Sequence, residues 1–142
     1  MDPDEVEIKI LVQADRESVK KLYQQAGWWS KDDEPGDGGA WIDALVKGSF
    51  CFVGAFAGKE MIGMGRAVSD GVSDAYIQDV TVLREFRGRG LGARIMKKII
   101  LFLRSRNIGW IGLVAEPGTQ EFYEDLGYGP LVGYQPMLHG KR

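Results

Sequence analysis

A single cysteine and a single histidine among 142 residues remove whole classes of chemistry. Cys51 has no partner for an intramolecular disulfide, and its place in the apolar run Phe50-Cys51-Phe52-Val53 reads as a buried, inert thiol. His139 stands three residues from the C-terminus, so composition supports neither a histidine-based metal site nor a Ser-His-Asp triad. No metal is expected. Long apolar runs are missing as well: none approaches the roughly 20 residues that a membrane-spanning helix requires. Met1 to Leu11 carries acids where a signal peptide has a basic start. The chain therefore reads as cytoplasmic, with no membrane partner.

What remains is the composition of an ordinary globular domain, 44% hydrophobic with 18 bases against 20 acids. A chain of this length buries roughly 68–70% of its unfolded surface on folding, enough to need no metal or disulfide. With no repeat, low-complexity tract or linker, residues 1–142 read as one domain. Its charge is unevenly placed. Met1 to Asp43 has a net charge of −6 and the remainder +4, and between Arg84 and Arg106 eight bases accompany one acid, Glu85. That basic segment is a candidate site for an anion, either a phosphate compound or nucleic acid.

Periodicity gives the order of elements. Val6, Ile8 and Ile10 alternate as in a half-buried strand over Glu5 to Val12. Val19, Leu22, Tyr23 and Ala26 follow at helical spacing over Arg16 to Ala26, with Asp15 as N-cap and Gly27 as the stop. A polar loop, Trp28 to Gly39, leads to a short helix around Ala40 to Val46. Ser49 to Ala57 and Glu60 to Val68 read as a hairpin turning at Gly58-Lys59, and Ala75 to Leu83 as the next strand. From about Gly90 to Arg106 a long helix aligns Leu91, Ile95, Ile99, Phe102 and Leu103 on one face. Trp110 to Val114 reads as a buried strand, Thr119 to Leu126 as a short helix, and Tyr128 to Leu138 as one or two closing strands. This is an α+β domain with a mixed, mostly antiparallel sheet flanked by helices. The fourth strand, long helix and fifth strand form a crossover unit, so those two strands should be parallel.

Chemistry concentrates between the fourth strand and the long helix, in Arg84-Glu85-Phe86-Arg87-Gly88-Arg89-Gly90-Leu91-Gly92-Ala93. Closely spaced glycines let backbone wrap a ligand, and a helix start offers unpaired N–H groups to an anion. Gly88, Gly90 and Ala93 also satisfy a dinucleotide fingerprint, G-x-G-x-x-A, with Glu116 downstream as the ribose-binding acid. Context defeats that reading, since four residues separate Leu83 from Gly88 and only 26 residues follow Glu116. No G-x-x-x-x-G-K-[ST] phosphate loop is present.

Asp79-Val80-Thr81-Val82 followed by Arg87-Gly88-Arg89-Gly90-Leu91-Gly92 resembles the acyl-CoA signature of the GNAT family of N-acetyltransferases, Q/R-x-x-G-x-G/A after a strand. Glu121-Phe122-Tyr123-Glu124-Asp125-Leu126-Gly127-Tyr128 is similar to the family's second signature, in the expected order and spacing. The resemblance implies a GNAT-like fold whose fourth and fifth strands splay apart around a pantetheine arm. Acetyl-CoA is then the acyl donor, with the amine acceptor as the other partner and with room for a homodimer. The coenzyme would meet Val80, Thr81 and Val82 along the strand, the turn Arg87, Gly88, Arg89, Gly90, Leu91, Gly92 and Ala93, and Phe122. Asp79 or Gln78 occupies the region where some relatives place an acid acting on the amine through water. Tyr123 matches the residue that in many relatives protonates the departing thiolate.

The chemistry sets conditions on these residues. A primary alkylamine is neutral in only about one molecule in 2,500 at pH 7, a cost of roughly 4.6 kcal/mol before attack. Asp79 can accept a proton efficiently only if burial raises its pKa well above about 3.9, and otherwise serves as a hydrogen-bonded structural carboxylate. Gln78 can only orient water. Full proton transfer from a phenol to a thiolate is uphill by about 2 kcal/mol, so Tyr123 acts by donating a strong hydrogen bond, or with its pKa lowered by a neighbouring positive charge, or else packs as a core tyrosine beside Phe122. The resemblance implies that the loop after the first helix borders the acceptor site, and its acids and aromatics suit a cationic amine, so Trp28, Trp29, Asp32, Asp33 and Trp41 are the candidate acceptor residues, with a solvated loop anchored by its tryptophans as the alternative. A non-catalytic acetyl-CoA sensor stands beside the transferase; a nucleic-acid-binding module on Arg84 to Arg106 has only Phe86 and Phe102 as aromatics, the latter on the apolar helix face, so no nucleic-acid partner is expected.

Overall fold

A computed structural model of the chain describes residues 5–140; residues 1–4 and 141–142 of the expected domain lie outside the described residues. Five strands form one sheet in chain order: β1 (Val6–Ile10), β2 (Cys51–Ala57), β3 (Glu60–Ser69), β4 (Asp74–Val82) and β5 (Trp110–Gly112). The first four are antiparallel neighbours and β5 runs parallel to β4, as the crossover through helix α3 (Leu91–Ser105) requires. Helices α1 (Arg16–Gln25) and α2 (Ala40–Gly48) lie between β1 and β2, and α4 (Gln120–Glu124) follows β5.

Local signals account for most boundaries. Asp15 Oδ2 accepts from Ser18 N at 3.0 Å and from Ser18 Oγ at 2.9 Å, which caps α1. At the other end Gly27, at φ +79°, donates to Gln24 O and Trp28 N donates to Tyr23 O, both at 3.0 Å. This left-handed glycine stop turns the chain sharply and fixes where Trp28 begins. The buried stripe of α3, Leu91, Ile95, Met96, Ile99 and Leu103, packs on β2, β3 and β4. Its approach is close: a Cβ on Gly65 would lie 2.9 Å from Ile95 Cγ2 and 3.0 Å from Ile99 Cδ1, so β3 is glycine where α3 crosses it. Val80 also meets that contact while Asp79 reaches Tyr23 of α1, which puts α3 and α1 on opposite faces of the sheet. Covered on both faces, β2 is buried at almost every position.

Two expectations need correction. Tyr128 to Leu138 contains no strand; Leu131, Val132, Tyr134, Met137 and Leu138 are exposed. Pro130 and Pro136 cannot donate to a ladder, Gly133 sits at φ +85°, and Tyr134 N closes a local turn onto Leu131 O at 3.1 Å. The fifth strand is shorter and less buried than its apolar run suggests, ending at Gly112 with Trp110 exposed, because it is an edge with one neighbour. Cys51 is buried, and burial pushes its thiol up to about 11, which keeps it protonated and unreactive.

Candidate active site

The parallel pairing of β4 with β5 covers Asp74, Ala75 and Tyr76 against Trp110, Ile111 and Gly112, and then stops. From Ile77 to Val82, β4 continues without β5. The strands splay there, and the gap is a cleft of about 330 Å³, near the small end of ligand sites. Ile77, Gln78, Asp79 and Val80 line it from β4, Leu113, Val114, Glu116 and Thr119 from the chain after β5, Tyr123 from α4, Tyr76 from its floor and Trp28 from the loop after α1.

Asp79 occupies the bend of β4. Gly65 on β3 is faced by two residues of β4, since the register passes from Met64↔Thr81 to Arg66↔Gln78. Asp79 takes the left-handed conformation at φ +59°, which few side chains other than Asp and Asn tolerate. Its Oδ2 accepts from the Tyr23 hydroxyl at 2.5 Å and from Arg66 Nε at 2.7 Å, whereas Oδ1 takes no hydrogen bond among the described residues. Arg66 also donates to Gln78 Oε1 at 3.2 Å. Burial, followed by the Asp79 carboxylate, raises the Tyr23 hydroxyl well above its ordinary range, so it remains a donor. Asp79→Ala would leave Arg66 and Tyr23 without their acceptor and place alanine at positive φ. Its expected cost is about 3 kcal/mol, against roughly half that for Asp79→Asn. Urea unfolding midpoints measure it, and an unchanged midpoint for Asp79→Ala would show that the bend is held by other contacts.

Tyr123 links the cleft to the basic turn. Its ring lies 4.9 Å, edge to face, from that of Phe122, and a Cβ on Gly92 would touch Phe122 at 3.3 Å. Burial first, and then the Glu116 carboxylate, raises the Tyr123 hydroxyl above its ordinary value, so it is a weaker acid than free tyrosine and a hydrogen-bond donor at neutral pH. At the start of α3, Gly88 and Gly90 both sit at φ +77° and Gly90 is the N-cap. No side chain caps the helix, and its first i to i−4 bond is Arg94 N to Gly90 O at 3.2 Å. The N–H groups of Leu91, Gly92 and Ala93 therefore have no carbonyl within the helix. A Cβ at Gly88 or Gly90 would meet nothing within 4 Å, so the space above this turn is open. Arg87 N–H is used in the turn onto Arg84 O, and its guanidinium donates to Val82 O at 2.8 Å, an acceptor any ligand along β4 must share. Thr81 pairs with Met64 on β3. Arg89 stacks over Phe86, 5.4 Å from the ring centre.

The structure brings Gln78, Asp79, Val80, Tyr123 and Trp28 to one cleft; Arg87 to Ala93 do not line it, and Phe122 packs between Tyr123 and Gly92. It does not bring the remaining acceptor candidates there. Trp29 and Trp41 pack on each other and on the core, with indole N–H groups that find no acceptor among the described residues. Asp33 is used locally, accepting from Ser30 N at 2.9 Å, and Asp32 is exposed; neither lines the cleft. Of the cleft and support residues, Tyr23 read only as part of a helix's apolar face and Glu116 only as the acid of the rejected dinucleotide pattern, while Arg66 and Tyr76 had no local sequence signal. Glu116 Oε1 accepts from Trp28 Nε1 at 2.7 Å across 88 residues of chain. Among the described residues no His/Cys/Asp/Glu group could hold a metal, and no helix is long and apolar enough to cross a membrane.

Comparison with known proteins agrees with this geometry. The model of the acetyltransferase (GNAT) family matches residues 8–128. An uncharacterized N-acetyltransferase, ycf52, from Gracilaria tenuistipitata var. liui is 43% identical over 114 residues, covering 78% of this chain and 59% of that protein. The chloroplastic GCN5-related N-acetyltransferase 2 of Arabidopsis thaliana is 43% identical over 70 residues, 49% of this chain and 27% of its own length. The chain thus spans less than two thirds of both relatives. A GNAT family acetyltransferase from Streptococcus pneumoniae TIGR4 superposes with a TM-score of 0.77 at 25% identity, over 96% of this chain and 98% of that one.

Proposed function

The chain belongs to the GNAT acetyltransferase family, and from that premise we propose that it is an acetyl-CoA-dependent N-acetyltransferase acting on a primary amine by direct attack in a ternary complex. One observation carries the reading: strand pairing that ends at Tyr76↔Gly112 opens a cleft along β4, and the same chain runs on from β4 into an uncapped, glycine-lined helix start. The residues fit the coenzyme. The free N–H groups of Leu91, Gly92 and Ala93 suit a pyrophosphate, the missing Cβ atoms at Gly88 and Gly90 give it room, and the unpaired length of β4 suits an extended arm with amides of its own.

When bound, acetyl-CoA supplies a thioester carbonyl; the C–N bond forms as the C–S bond breaks, and the thiolate departs. The chain's residues serve the two proton problems. Asp79, with Oδ2 held by Tyr23 and Arg66, presents Oδ1 to a water that can take the amine's proton, and Gln78 can only orient that water. Tyr123, raised above its ordinary range, stays protonated and donates a hydrogen bond as negative charge builds on sulfur. The sensor and nucleic-acid alternatives find no support in the relatives. Cytoplasmic location rests on the sequence alone, and the Arabidopsis relative is chloroplastic by name.

Thiol release from acetyl-CoA, followed across a panel of primary amines, tests the activity. The reading expects amine-dependent release with formation of the N-acetyl product. Coenzyme binding without turnover of any amine would return the chain to the sensor class.

A further inference from the structure

Two carboxylates line the cleft, and they differ in one respect that bears on the acceptor. Asp79 is neutralised by Arg66 at 2.7 Å. Glu116 forms no ion pair among the described residues; its carboxylate accepts one hydrogen bond there, from the Trp28 indole N–H, a neutral donor, on Oε1. Glu116 is thus the carboxylate of this cleft that no cation among the described residues neutralises. Trp28 and Tyr76 stand beside it, 37% and 46% exposed, with ring surface still open to a ligand.

Resting on the transferase reading above, we propose that Glu116 selects the acceptor: its carboxylate receives the ammonium of an alkylamine whose apolar body lies against Trp28 and Tyr76, and so favours it over neutral and anionic acceptors. The Trp28 N–H holds Oε1 in place and leaves Oε2 for the ammonium. An unpaired carboxylate facing an aromatic wall attracts a cation both by charge and through the ring faces. It repels the carboxylate of an amino acid.

Glu116→Gln keeps an acceptor for Trp28 and nearly the same shape while removing the charge. The test is titration calorimetry at pH 7.5 with 2-phenylethylammonium and with 2-phenylethanol, its neutral counterpart, on the free protein and on protein saturated with CoA. The native chain should bind the ammonium about fivefold more tightly than the alcohol, a preference of the size a partly exposed ion pair supplies. Glu116→Gln should erase that preference and leave alcohol and CoA affinity within twofold. A variant that keeps the preference, that weakens both probes equally, or a native chain that binds neither probe overturns the assignment. If the free protein shows the preference while CoA fails to bind, the transferase reading fails and the cation site stands.

Discussion

Gly90→Val is expected to weaken acetyl-CoA binding by at least a hundredfold while the protein still folds. Gly90 caps α3 at φ +77°, and a side chain there would meet no protein atom within 4 Å. The folded chain therefore loses only the backbone strain of a branched residue in the left-handed region, about 1–2 kcal/mol. A bound pyrophosphate loses more. Each charge-assisted hydrogen bond to the turn is worth roughly 1.5–3 kcal/mol, and a valine side chain in that space displaces the anion from at least two of them. Gly58→Val is the matched control, because Gly58 also sits at positive φ with nothing within 4 Å but lies in the β2–β3 turn. It should show the same strain with unchanged coenzyme affinity. Equal affinities for both variants would take the coenzyme away from this turn.

Tyr123→Phe should lower kcat by about a hundredfold and leave the KM for acetyl-CoA within twofold, the pattern of a group that acts as charge develops on sulfur. Removing the hydroxyl preserves the ring that packs on Phe122. The pH profile adds a second criterion. Because the hydroxyl is raised above its ordinary value near 10, it stays protonated through pH 9. The native rate should climb from pH 7 to pH 9 as more amine becomes neutral, and Tyr123→Phe should climb in parallel below it. Equal turnover would remove Tyr123 from the mechanism. A native profile falling between pH 8 and 9, with the fall absent from the variant, would show Tyr123 ionising within the working range.

The sequence revealed what depends on neighbours a few residues apart. Asp15 as a cap, Gly27 as a stop, the apolar face of α3 and the glycines of the basic turn are local features, and each appears in the structure where its spacing places it. The parallel β4–β5 pair was legible too, because handedness and crossover length leave little choice. Contacts that close over long stretches of chain were not. Tyr23 meets Asp79 across 56 residues and Trp28 meets Glu116 across 88, and no periodicity in either segment encodes the other. Trp29 and Trp41 illustrate the converse: aromatic and acidic composition suggested a cation site, but those rings are spent on core packing. The apolar residues after Tyr128 suggested strands, yet prolines and a left-handed glycine deny that segment a ladder.

The account stands on main-chain donors at the head of α3 holding a diphosphate. Titrating the ¹⁵N-labelled protein with acetyl-CoA and following its amide resonances measures this directly. The largest downfield shifts are expected at Gly90, Leu91, Gly92 and Ala93, with smaller ones along β4 at Val80 and Val82. Saturable binding that leaves those four amides unmoved while others shift would contradict it.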